Sequence, residues 1–174
     1  AYTARGMVDT VTQYTSATVG SGSVTDQVQS SYDDWGNLTK FEQDVDSAIG
    51  ASGRAAFNVQ YSWAKRTPTN GATVLARDTM TQAGGGTITY GYGSSGTIDD
   101  LLSRVHTITK TSVDLAEYEY LGAGQLVRSY LPEPDASTAS YDAGGTPRAY
   151  ANLDRFNRTT RSVWSNGYYD ATLT

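Results

Sequence analysis

Tyr32-Asp33-Asp34-Trp35-Gly36-Asn37-Leu38-Thr39-Lys40-Phe41 is the stretch whose reading decides the fold. It reads as a strand end, a four-residue turn and a second strand. The carboxylates of Asp33 and Asp34 can accept hydrogen bonds from nearby backbone N–H groups, and Gly36-Asn37 tolerates the positive φ of a tight reversal. Leu38 and Lys40 then begin an alternation with a period of about two residues, as expected of a half-buried strand. One such hairpin is only marginally stable in water, so the rest of the chain has to supply others.

It does so by repetition. Four stretches share one frame: Tyr32 to Leu38, Tyr92-Gly-Ser-Ser-Gly96-Thr-Ile98, Tyr120-Leu-Gly-Ala-Gly124-Gln-Leu126, and Leu153-Asp154-Arg-Phe-Asn157-Arg-Thr159. Each has a strand-ending residue, then a Gly or Asn suited to positive φ (Gly36, Gly96, Gly124, Asn157), then a strand residue. The gap between Tyr32 and Tyr92 has room for one further unit, expected as a hairpin led by Tyr61. Spacings near 30 residues suit one hairpin and its connection per repeat.

Outward from these frames the chain is mostly alternating. Residues 7–19, 24–32, 57–63, 73–81, 87–92, 105–111, 115–120, 125–131, 159–164 and 168–173 read as strands. Residues 43–53 and 132–148 read as loops, the latter with three of the four prolines. Ile98 to Arg104 is the single candidate for a helical turn or two. The expected fold class is all-β: repetitive antiparallel β-hairpins forming a coiled strip.

Composition agrees. The 174 residues include 13 Tyr and 18 Gly and are otherwise rich in Thr and Ser, which favours strands and turns. A net charge of −5 provides no basic stripe to replace phosphate counterions, which argues against nucleic-acid binding. With no cysteine, disulfides, thiolate metal sites and a cysteine nucleophile are excluded. No apolar run approaches the roughly 18 residues of a membrane span. Ala1 is not a start Met and the pattern is already under way there, so a fragment of a longer protein is expected.

Few residues carry chemistry. Gly91-Tyr-Gly93-Ser-Ser-Gly96 matches a dinucleotide fingerprint literally, but the fingerprint needs a full helix in a parallel βαβ unit, and the segment reads better as a turn. His106 is the one histidine a Ser-His-Asp triad would have to use, and it sits in an alternating strand. Asp44-Val-Asp46-Ser-Ala48 is a partial calcium loop with Ala48 at the third ligand position and no closing Glu. The pairs Asp33/Asp34 and Asp99/Asp100 diverge as sequence neighbours and read as turn formers, not as an acid/base pair. The aromatics Tyr32, Trp35, Tyr61, Trp63, Tyr90, Tyr92, Tyr118, Tyr120 and Trp164 suit cross-strand packing, with sugar stacking as the alternative. Asn37-Leu-Thr39 and Asn157-Arg-Thr159 are glycosylation sequons at turn-to-strand junctions.

At Tyr32-Asp33-x-x-Gly36-Asn37-Leu38-Thr39 the chain resembles the YD-repeat (RHS-repeat) family of large bacterial surface and secreted proteins. Ala116 to Val127, Leu153 to Arg158, Asp99-Asp100-x-x-Ser103-Arg104-Val105 and Leu131-Pro-Glu-Pro-Asp135 support the likeness. It covers residues 28–174, with residues 1–27 read as an earlier degenerate repeat. Asp gives way to Gly93 and Leu121 in two repeats and Tyr to Leu153 in a third, and the family's Asp-Pro-x-Gly self-cleavage elements are missing. The resemblance implies a secreted or cell-surface strip of hairpins that spirals into a hollow shell around a C-terminal toxin or effector domain. The expected function is therefore structural and non-enzymatic, without cofactor or metal. Its partners would be neighbouring repeats, other copies, an enclosed domain or surface glycans. A cell-surface adhesin or carbohydrate-binding module is the alternative, and an open sheet edge predicts self-association of the isolated segment.

Overall fold

The computed structural model describes residues 1–51, 57–132, 136–139, 153–154, 156, 158–165 and 170–173, with strands 136–139, 162–165 and 170–173 described by their backbone. It is all-β. The strands are β1 (Thr10–Tyr14), β2 (Val24–Tyr32), β3 (Leu38–Val45), β4 (Phe57–Arg66), β5 (Val74–Thr81), β6 (Thr87–Gly91), β7 (Thr107–Lys110), β8 (Val113–Leu121), β9 (Gln125–Leu131), β10 (Ala136–Ala139), β11 (Ser162–Ser165) and β12 (Asp170–Leu173). Among the described residues one short helix, α1 (Ile98–Leu101), precedes β7. The strands are hydrogen-bonded in the order of the sequence. The chain divides into two compact units, residues 1–64 with 77–88, and residues 65–76 with 89–174.

In the first unit β1 pairs with β2, β2 with β3 and β3 with β4. Val11 lies opposite Val28, Ser30 opposite Phe41, and Phe41 opposite Val59. The β2–β3 ladder slips by one residue between Ser31 and Tyr32, leaving Tyr32 opposite Leu38. That slip is a β-bulge beside a turn whose fourth residue, Gly36, has φ +88°. In the second unit β7 to β12 pair successively. The β8–β9 ladder repeats the slip between Glu119 and Tyr120, placing Tyr120 opposite Leu126.

Both units have little apolar interior. Among the described residues, the buried apolar side chains are Pro68, Ala76, Ile88, Ala116 and Val127, and no large side chain is fully buried. Asp44 and Asp100 are as buried as these. Cohesion then falls to the backbone ladders and to arginines stacked on aromatic rings. In the first unit Arg77 faces Tyr61 and Trp63, at 4.8 and 5.2 Å from the ring centroids. In the second, Arg66 covers Tyr92 at 4.3 Å and Arg104 covers Tyr120 at 4.4 Å. Each such pair contributes about 0.5–1 kcal/mol at an exposed site and more when desolvated.

Several expectations need correction. Tyr61 leads no turn; it lies in mid-strand, and β4 continues to Arg66 because Ser62 to Lys65 carry on the alternation. Ile98 does not start a strand as the repeat frame has it; the helical turn expected over Ile98 to Arg104 forms over Ile98–Leu101. Thr97 caps α1, its hydroxyl accepting from the N–H of Asp100, and Ile98 is the first helical residue, 58% exposed. The positive φ of the Tyr120 hairpin sits at Gly122, at +57°, and not at Gly124. Residues 43–45 continue β3, and the 132–148 loop contains β10. β2 runs through the boundary drawn between residues 27 and 28. Asn157 lies outside the described residues.

Candidate functional site

The arrangement that recurs is the hairpin tip. Asp33 donates its N–H to the carbonyl of Asn37 at 3.0 Å, and Gly36 donates to the carbonyl of Asp33 at 3.0 Å. This is a type I turn closed by a left-handed residue. The Asp33 carboxylate fills the tip. Its Oδ1 accepts from Trp35 N at 2.9 Å and Asn37 N at 2.8 Å, and the Asn37 side-chain amide donates to both oxygens at 3.2 and 2.9 Å. The Asn37 amide, above all, holds the Asp33 carboxyl below its ordinary range, with the tip N–H groups adding to it against a counteracting desolvation.

Asp154 builds the same tip. It donates to the Arg158 carbonyl and accepts from the N–H groups of Phe156 and Arg158 at 2.8 and 3.0 Å, and Leu153 bridges to Thr159. The Arg158 N–H lowers its pKa most. Two further copies escaped the sequence. Thr3 donates to the Met7 carbonyl and Gly6 to the Thr3 carbonyl; Gly6 has φ +77°, and Tyr2 bridges to Val8. Here the Thr3 hydroxyl accepts from Met7 N at 3.2 Å, standing in for the aspartate. Gln82 and Gly86 close a fourth tip, with Gly85 at φ +81°. The signal available for the first was Tyr2, Gly6 and Val8 in the spacing of Tyr32, Gly36 and Leu38; for the second it was only Gly84-Gly85-Gly86.

Tyrosine ties hairpins together. Tyr32 Oη donates to the Val8 carbonyl at 2.9 Å, and Tyr120 Oη to the Val105 carbonyl at 2.7 Å. An arginine accompanies each. Arg5 donates to the carbonyls of Asp33 and Asp34, and Arg104 to the carbonyl of Gly122. Two of the three predicted leading tyrosines thus share one job, reaching back to the segment before them. Tyr92 instead lies under Arg66.

A dense polar cluster surrounds α1 in the second unit. Asp100, 6% exposed, accepts from Arg66 at 3.0 Å, from Gly96 N at 3.1 Å, and from the N–H and hydroxyl of Thr69 at 3.3 and 3.2 Å. The Gly96 N–H is foremost in lowering its pKa, followed by the Thr69 groups and Arg66. Beside it Asp99 pairs with Arg104, and its Oδ2 lies 3.1 Å from His106 Nδ1, while His106 Nε2 is 3.8 Å from Glu117. The Gly96 N–H that a nucleotide phosphate would need therefore already serves this chain's own carboxylate, and α1 is four residues long. His106 is placed between carboxylates, with no hydroxyl positioned as a nucleophile among its pairings.

Neither a protein-family model nor a curated protein matches this chain.

The remaining candidates divide by environment. Asp44 is buried and Asp46 adopts φ +68°, while Asp26 receives the Gln43 amide. Among the described residues, no three His, Asp or Glu side chains converge as metal ligands. Asn37, a sequon residue, has its side-chain nitrogen engaged by Asp33. Trp35 projects from its tip at 84% exposure, whereas the Trp63 indole N–H donates to the Leu38 carbonyl at 2.9 Å. No helix among the described residues is long and apolar enough to cross a membrane.

Proposed function

We infer that this chain is a structural, non-enzymatic repeat segment of an extracellular YD-repeat-like β-shell that encloses or displays another domain. The recurrence of one tip carries the reading: Asp33 and Asp154, far apart in sequence, spend their carboxylates on the same two N–H positions of the same turn. A carboxylate saturated by its own turn is a poor general base or metal ligand and a good register pin. The tyrosine ties and stacked arginines then supply cohesion to a sheet with little apolar core. Secretion or surface display in a bacterium belongs to the same proposal, through the YD-like Tyr32-Asp33-x-x-Gly36-Asn37 motif. Electron microscopy of the polypeptide that carries this segment tests it. A hollow particle or β-spiral is expected, and a compact α/β globule overturns the reading.

A second reading, a glycan-binding surface module, draws on a groove of about 390 Å³ in the first unit, lined by Ser31, Lys40, Gln60, Tyr61, Ser62 and Thr79 among others. Hydroxyl and amide groups beside one aromatic ring suit a neutral sugar. A glycan array on the purified chain decides between them: saturable binding lost in Tyr61→Ala favours the module, and no binding at millimolar ligand removes it.

A further inference from the structure

The outer edge of β1 has a feature that the sheet order alone does not reveal. Ala1 and Thr10 exchange hydrogen bonds in both directions, the Ala1 amine donating to the Thr10 carbonyl and the Thr10 N–H to the Ala1 carbonyl at 3.3 Å. Tyr2 then faces Val8 across the tip formed by Thr3 to Met7. The same offsets occur where Ser31 faces Lys40 and Tyr32 faces Leu38, and where Glu119 faces Arg128 and Tyr120 faces Leu126. Ala1 therefore occupies the place of Ser31 and Glu119. It pairs with Thr10 as an antiparallel rung on the side of β1 away from β2.

The geometry points to the outer edge of β1 as an acceptor for one more antiparallel strand, in the register that Ala1 opens. Its occupant is a repeat strand joined directly to Ala1. In antiparallel ladders alternate residues point their N–H and C=O to opposite sides. Asp9 turns its carbonyl to Ser30 of β2 and Thr10 turns outward to Ala1, so Thr12 also turns outward. In the frame of the other hairpins, the residue joined to Ala1 falls opposite Val11 and the one before it opposite Thr12. The edge lacks the usual protections: Thr10 to Tyr14 contain no Lys and no Pro, and Val11 is 58% exposed. The identity of the occupant rests on the repeat reading above; the edge and its register rest on the ladder alone.

The test uses the full chain with a copy of residues 24–30, Val-Thr-Asp-Gln-Val-Gln-Ser, joined ahead of Ala1. Amide exchange at Thr12 is compared with the unextended chain. Protection should rise about tenfold or more, and a proline at the added residue opposite Thr12 should abolish the gain. Protection of the Gln29 and Glu42 amides reports that β2 and β3 remain folded in every variant. No gain at Thr12 with an intact β2–β3 ladder overturns the acceptor edge. An equal gain with the proline variant overturns the register. Thr12 protection in the unextended chain that rises with protein concentration assigns the edge to a second copy and overturns the joined strand as its occupant. A shell seen by electron microscopy without Thr12 protection would sink this inference and leave the structural reading standing.

Discussion

Asp33 and Asn37 close the first hairpin tip on each other. The Asn37 side-chain amide donates to Asp33 Oδ2 at 2.9 Å while the Asn37 backbone N–H donates to Asp33 Oδ1 at 2.8 Å. One carboxylate thus fixes both the backbone and the side chain of the residue just before β3. Asp33→Ala removes every one of these acceptors and should lower the melting temperature by several degrees. Asp33→Asn keeps one carbonyl oxygen for the tip N–H groups and should fall between that variant and wild type. Thermal melts followed by circular dichroism check the order; an Asp33→Ala protein that melts with wild type would mean that Gly36 alone sets the turn.

The carboxyl pKa values of Asp33, Asp100 and Asp154 all lie below the ordinary range, owing foremost to the Asn37 amide, the Gly96 N–H and the Arg158 N–H respectively. A depressed folded-state pKa means that the unfolded chain takes up protons first as pH falls. The stability these groups provide is present above the unfolded carboxyl pKa of about 4 and is lost as pH drops through the folded values. The melting temperature should therefore hold near neutral pH and fall steeply between about pH 4 and pH 2. Asp100→Asn should start lower at pH 6 and show a shallower acid decline. A wild-type melting temperature independent of pH down to 2 would contradict the role given to these carboxylates.

Much of this was legible in Asp33, Gly36 and Leu38, because a hairpin tip is local: a short-range acceptor, a left-handed residue and the resumed alternation all lie within seven residues. The bounds of β2 and β9 followed from alternation alone. The tips at Thr3 and Gln82 were hidden because Thr replaces Asp in one and neither Tyr nor Asp marks the other, although the backbone hydrogen bonds are the same. The repeat frame alone misplaced Ile98, whereas the helical turn read over Ile98 to Arg104 forms over Ile98–Leu101 under the Thr97 cap. Asp100 was illegible for a different reason. Its partners Arg66 and Thr69 lie more than 30 residues away, and no local rule brings them to it.

Tyr120 offers a test in the alkaline direction. Burial raises its pKa above the ordinary tyrosine value, with Asp99 and Tyr118 adding to the rise and Arg104 opposing it. Here the folded state holds its proton longer, so stability is intact below the unfolded pKa of about 10 and is lost as pH rises beyond it. Tyr120→Phe deletes the bond to the Val105 carbonyl and should cost about 1 kcal/mol at pH 7. It should also remove part of the alkaline destabilisation. Tyr32→Phe, whose bond to Val8 is exposed, should cost less. Urea denaturation at pH 7 and pH 10.5 measures both, and equal costs for the two variants would mean that burial does not distinguish the ties.

Gly36 and Gly91 should be needed for different reasons, and two alanine variants separate them. At Gly36 a Cβ would meet nothing closer than Met7 Sδ at 3.6 Å, so the difficulty is the positive φ. Gly36→Ala should cost about 1–2 kcal/mol, the expense of a left-handed conformation for an L-residue. At Gly91 φ is not left-handed, and an added Cβ would overlap Thr107 Oγ1. Gly91 accepts from the N–H of His106, so the strands cannot separate freely there. Gly91→Ala should accordingly cost about 1–3 kcal/mol by overpacking. Because the obstacle is one hydroxyl, Thr107→Ala introduced with it should restore most of that loss. The same second substitution should do nothing for Gly36→Ala. A double-mutant cycle by urea denaturation reads both couplings, and additivity at the Gly91–Thr107 pair would show that the strands shift to accommodate the methyl group.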